Sequence, residues 1–200
     1  MTTSPSKNYS LTAQIPDEPW EALPPETAAA LRPALEPTVE EVIDVIRGAV
    51  PAYAQPLEGA FGEGFRTAVA YALSQFLDKV EGSPPEPSGG RDIYFDLGRN
   101  EAREGRTLDG LLAAYRVGAR VAWRSAVQAA RAAGFGADTL SLLAEAIFAY
   151  IDELSARSAQ GFAFEQSVAA GEAASRRRVL VHLAIQTPPA ERSAMEAAAR

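Results

Sequence analysis

The chain has 200 residues, is 47% hydrophobic and carries a formal net charge of −7. That is enough apolar content for one large packed domain, and the acidic balance argues against nucleic-acid binding through the bulk field. Cysteine is absent, which excludes disulfides and thiolate metal sites.

No run of ~18 apolar residues is present, so no membrane span is expected. The opening MTTSPSKNYSLTAQIP has one lysine and no apolar centre, so it does not read as a signal peptide. A cytoplasmic location is the expectation. Residues 1–24 are rich in Ser, Thr and Pro and read as a flexible tail, with Trp20 and Leu23 able to anchor its end. Pro25 suits the first turn of a short helix running to Leu35. Thr38 reads as the N-cap of a helix over Val39–Ala49, with Val39, Val42, Ile43 and Ile46 as its apolar stripe. Pro51 and Pro56 bend the chain around Tyr53. From Leu57 to Val80, Phe61, Phe65, Val69, Leu73, Phe76 and Leu77 repeat at three and four, which predicts a third long helix.

GSPPEPSGG, residues 82–90, is a loop. A helix over Arg91–Glu104 stops at Gly105. Thr107 caps the next, Leu108–Ala133, and Gly134 ends it. A last long helix begins near Asp138 and shows a helical pattern through Gly161 to about Ile185, before Pro188-Pro189. Ala190–Arg200 has a further helical pattern. No segment alternates as a strand does. The fold class is therefore all-α, with six to seven helices and a long C-terminal exit helix. The expected division is a tail over 1–24, a helical domain over 25–187, and the start of a linker or following domain over 188–200.

Catalytic chemistry finds no support. His182 is the only histidine, so neither a catalytic triad nor a multi-histidine metal site can form within one chain. It reads as a structural or surface residue. No metal site and no cofactor are expected. Gly59, Gly62 and Gly64 form GAFGEG without the preceding strand of a dinucleotide fingerprint, so close helix approach is the better reading. Asp92, Asp96, Glu101 and Glu104 interleave with Arg99, Arg103 and Arg106, which reads as an ion-pair surface.

Arg116, Arg120 and Arg124 recur at every fourth position and so share one side of a helix. Arg116 and Arg120, with Tyr115 beside them, are candidates to bind an anionic ligand. The alternative is that the arginines, Arg124 included, tie to Glu145, Asp152 and Glu153 of the next helix. Leu140, Ala144, Ile147, Ile151, Leu154, Ser158 and Gly161 form a heptad-like seam, either core or a contact between two copies.

Two segments carry a resemblance: LGRNEAREGRTLDGLLAAYRVGARVAWR, from Leu97, and AEAIFAYIDELSARSAQGFAFEQ, from Ala144. Together they resemble the N-terminal region of PucR/CdaR-type transcriptional regulators, related to the N-terminal domain of RsbT co-antagonist (RsbR-type) proteins. The resemblance covers about residues 38–185. It implies a globin-like helical bundle without haem, a homodimer, and a sensory or regulatory role responding to an unknown small molecule or protein. It also implies DNA binding only through a C-terminal helix-turn-helix not contained in these residues. A second reading is a ligand-free assembly module of an RsbR-like stress-signalling complex.

Overall fold

In a computed structural model the described residues are 18–54, 59–83 and 92–185, and all their regular structure is helical. Six α-helices follow in chain order: α1 (Glu26–Leu31), α2 (Leu35–Ala49), α3 (Gly59–Glu81), α4 (Ile93–Arg103), α5 (Leu108–Ala132) and α6 (Ala137–Ile185). Short 3-10 turns cover Pro19–Ala22, Arg32–Ala34 and Pro51–Tyr53. The fold is all-α, as the periodicity predicts. The expected helix over Ala190–Arg200, the loop at 84–90 and the tail up to residue 17 lie outside the described residues.

The packed body begins before the expected boundary at 25. The first 3-10 turn buries Trp20, and Leu23 follows it into the core. The Lys79 ammonium lies 4.2 Å from the centre of the Trp20 ring and 3.2 Å from Glu153, so α3 and α6 grip this anchor together. Arg32 fastens α1 to α3, donating to Asp78 at 2.7 Å and to both Glu81 oxygens at 2.6 and 3.0 Å.

Thr38 does not cap a helix. The 3-10 turn runs straight into α2 at Leu35, so Thr38 sits inside the first turns. Pro37 fits because the first helical N–H groups need no intrahelical acceptor. The Thr38 hydroxyl bonds back to the Ala34 carbonyl at 2.6 Å and meets Ser125 of α5 at 2.6 Å. Thr107 and Asp92 do act as caps, each accepting a backbone N–H from three residues on. Gly105 and Gly134 adopt positive φ (68° and 87°) where α4 and α5 stop.

The closest helix pair is α4 on α6, and it is built on two glycines. A Cβ on Gly98 would fall onto the Ser158 carbonyl, with the Ser158 Cα 2.9 Å away. A Cβ on Gly161 would fall onto the Phe95 carbonyl, with the Phe95 Cα at 3.1 Å. The small end of the α6 seam is thus occupied from within the chain by α4. Beside this crossing Glu165 accepts from Arg99 at 3.0 Å and lies 2.8 Å from Arg103, and the two arginines hold its carboxyl below the usual range. Arg99 also lies over the Phe164 ring, 5.2 Å from its centre.

Beyond Gly161 the long helix leaves the body. From Ala163 to Val179 every residue but Glu165 is exposed, Phe164, Val168 and Val179 among them, and Val181 is exposed beyond. His182 is also exposed there. Among the described residues no helix is long and apolar enough to cross a membrane.

Candidate functional site: an interior cavity

The helices enclose a cavity of about 690 Å³. It exists because two facing walls differ in what holds them. Apart from Leu111 and Tyr115, the α5 residues that face it are small: Ala114, Gly118, Ala119, Ala122, Ser125 and Ala126. Opposite stands α3, with Phe65, Ala68, Val69, Ala72, Leu73 and Phe76. The backbone of α3 approaches α1 and α2 closely, and not α4, α5 or α6 to the same degree. Helix separation follows the side chains at the contact, and small residues on α5 cannot span the gap left by a helix moored elsewhere. Ile147, Tyr150, Ile151 and Leu154 of α6 close one side, and Val42 and Ile46 of α2 another. Gly64, Asn100 and Glu104 line the cavity and are exposed, so it reaches the surface where α3 begins and α4 ends.

Four tyrosines give the apolar walls their polar points. The Tyr94 and Tyr150 hydroxyls meet at 2.7 Å, and Tyr150 donates to the Ala72 carbonyl at 2.9 Å. Tyr115 meets Ser158 at 2.8 Å, and Ser158 donates to the Tyr94 carbonyl at 3.0 Å. Burial raises the Tyr115 phenol to about 12, and burial also raises Tyr94 and Tyr150. Tyr53 is raised by burial and then by the neighbouring Glu101 carboxylate. All four are neutral phenols at physiological pH.

One charged pair closes the α4–α5 end. Glu101 is only 4% exposed and accepts two bonds from Arg106, both 2.9 Å. The hydrogen bond to Glu101 raises the guanidinium of Arg106 further. The acids and arginines of this stretch were expected to form a surface network. Glu101 is instead buried beneath a half-buried Arg106, because the Gly105 turn folds Arg106 back over the end of α4.

The other expected site residues divide. Tyr115 points inward and lines the cavity, whereas Arg116, Arg120 and Arg124 lie on the exposed side of α5. The structure therefore does not bring Tyr115 together with Arg116 and Arg120 as one anion site. The expected ties to α6 are also not formed among the described residues. Glu145 and Asp152 are exposed, and Glu153 turns to Lys79 of α3. Four-residue spacing places the arginines on one side, but the packing of Val117, Val121 and Ala126 turns that side to solvent. Among the described residues no group of three or more His, Cys, Asp and Glu side chains is placed to hold a metal.

The described residues form an all-α body around a largely apolar cavity, a place where small-molecule sites occur between helices, with one wall helix running far out of the body. The sequence model of the PucR-like N-terminal domain matches residues 20–185, and the chain belongs to that family. The matched span begins at the buried Trp20 and ends where α6 ends. No curated protein and no solved structure matches the chain significantly.

Proposed function

We propose that the chain is the N-terminal sensory and dimerisation domain of a cytoplasmic bacterial transcriptional regulator, whose helix-turn-helix follows it. The observation that carries this reading is α6. Its first part walls the cavity through Ile147, Tyr150, Ile151 and Leu154, and the same unbroken helix runs on to Ile185. A ligand that favours one packing of α3 against α5 and α6 shifts the population of exit-helix positions, provided it binds the two packings unequally. Replacing Ala169 by proline breaks α6 outside the body. In the full-length regulator Ala169→Pro is expected to abolish ligand-dependent transcription while leaving the melting temperature of the body within a few degrees. Regulation that survives intact overturns the reading.

The α5–α6 surface supports the dimeric part of the proposal. Phe148 is 69% exposed at the middle of the α6 body segment. Helical spacing places it beside exposed Glu145 and Asp152, while α5 presents exposed Arg116, Arg120 and Arg124. These charges have no ion-pair partner among the described residues, and the two stripes are of opposite sign. A two-fold axis across this face sets the arginines of one copy against the acids of the other, around a Phe148 contact. Arg120→Glu with Arg124→Glu, and separately Glu145→Arg with Asp152→Arg, are each expected to weaken self-association at least tenfold in sedimentation velocity. An equal mixture of the two variants restores a dimer. Dimers unaffected by either pair place the interface elsewhere.

A further inference from the structure

Resting on the sensory reading above, we propose that the cavity binds a neutral, mainly apolar small molecule whose polar group is a hydrogen-bond donor, an alcohol being the simplest case. At ~30 Å³ for each water-sized unit, 690 Å³ holds roughly 20 non-hydrogen atoms. Its size lies within the ordinary span of small-molecule sites, about 300–1,000 Å³.

The hydrogen-bond directions decide the chemistry. Tyr150 spends its proton on the Ala72 carbonyl, so the proton between the two phenols comes from Tyr94. Ser158 spends its proton on the Tyr94 carbonyl, so Tyr115 supplies the proton between those two. Thr38 spends its proton on the Ala34 carbonyl, so Ser125 supplies the proton between Thr38 and Ser125. A hydroxyl has one proton and two lone pairs. Each of these hydroxyls has therefore used its donor and keeps acceptor capacity.

The charged pair adds no net charge for a guest. Arg106 is held by both oxygens of Glu101, and Tyr53 lies against the same carboxylate. A carboxylate or phosphate inside this cavity would lose its water and meet a guanidinium already neutralised by Glu101, with Glu104 beside it. An ether or ketone oxygen would find no free O–H among the wall hydroxyls; the remaining N–H groups, on Arg106 and Asn100, lie at the α4 end of the cavity. An alcohol keeps its hydrogen bond by donating to a wall hydroxyl, and its carbon chain covers the small-residue face of α5. The anionic ligand that the arginine spacing suggests is thus the wrong chemistry for the interior.

The test uses the 200-residue chain and three probes built on an eight-carbon chain: 1-octanol, 1-methoxyoctane and octanoate at pH 7. Octanol is expected to raise the melting temperature saturably. Methoxyoctane should bind roughly 2- to 10-fold more weakly, the worth of one net hydrogen bond, and octanoate at least tenfold more weakly than octanol. Ala119→Phe and Ala68→Phe fill the cavity from opposite walls, and each should remove the octanol shift. Octanoate or methoxyoctane binding as tightly as octanol overturns the proposal. So does the absence of an octanol shift, or a shift undiminished in a filled variant that folds. Should neither filled variant fold, the ranking of the three probes on the wild-type chain still decides. Octanol binding without any effect on transcription in the full-length regulator would leave this assignment standing and remove the sensory reading. Uncoupling by Ala169→Pro without octanol binding would do the reverse.

Discussion

Gly161→Ala and Gly98→Ala are each expected to cost about 3 kcal/mol or more, at the upper end of overpacking penalties. In a chain of this size that lowers the melting temperature by roughly 6–12 °C. The reason lies in what the added methyl meets. At both glycines it lands on backbone, the Ser158 carbonyl in one case and the Phe95 carbonyl in the other, and neither can rotate away. Relief requires α4 to withdraw from α6, which also parts Arg99 and Arg103 from Glu165. Helix propensity works the other way, since alanine is better than glycine inside a helix by about 1 kcal/mol. Gly48 and Gly171 isolate that gain, because a Cβ at either position meets nothing within 4 Å. Gly48→Ala in α2 should therefore raise the melting temperature by about 1–4 °C. Circular dichroism melts of the four variants check this. Gly98→Ala and Gly161→Ala both melting within about a degree of wild type would remove the claim that the crossing is set by backbone contact.

These glycines also mark how far the sequence could be read. A glycine inside a helical pattern signals either a weak point or a close approach, and Gly161 stood at the small end of the α6 seam. Nothing local says which element comes close. The partner is α4, only 11 residues long, and the match needs Gly98 at the right height along it. Helix positions were legible because the three-and-four periodicity of α3, the Thr107 cap and the Gly105 and Gly134 stops are local signals. Thr38 misled for the same local reason. A Thr-Val-Glu-Glu run resembles a cap, but the preceding 3-10 turn supplies the helix start, and Thr38 is left to pair with Ser125 on α5.

The cavity and the arginine stripe escaped for a different reason. Periodicity tells which residues share a side, not which neighbour that side meets or at what distance. Nothing in the sequence marks Ala114, Gly118, Ala119 and Ala122 as more than small helical residues, yet with α3 moored to α1 and α2 they become one wall of a void. Arg116, Arg120 and Arg124 were one stripe in sequence and remain one in space, but the rotation of α5 about its axis decides that they face outward. That rotation is fixed by α2 and α6 together, Val117 and Val121 packing in the cluster with Val42 and Ile46, and Ala126 in the one with Leu143 and Ile147. Tyr115 could be separated from Arg116 only once that rotation was known.

Arg106→Leu is expected to be the most damaging single change at the cavity. It leaves Glu101, 4% exposed, as a buried carboxylate without its cation. Removing one partner of a buried pair costs about 3–5 kcal/mol, which corresponds here to a melting temperature lower by roughly 6–20 °C. The loss should depend on pH with a definite sign. An orphaned buried carboxyl has its folded-state pKa raised above the unfolded value near 4.3. The unfolded state then binds fewer protons than the folded state between those two values, so the variant gains stability as pH falls from 7 toward 5. Glu101→Leu combined with Arg106→Leu removes both charges and should recover most of the loss, since an apolar pair of similar volume is often as stable as the ion pair it replaces. Urea titrations of the wild type, Arg106→Leu and the double variant at pH 7 and pH 5 give the cycle. An Arg106→Leu loss under about 1 kcal/mol, or a double variant as unstable as the single, would show that the pair does not hold the α4–α5 corner. A double variant that folds also separates structure from recognition. In it the Glu101 carboxylate that now faces Tyr53 is gone, so the Tyr53 phenol becomes a donor open to the cavity. Preference for octanol over methoxyoctane should then narrow, because a wall hydroxyl would be free to donate.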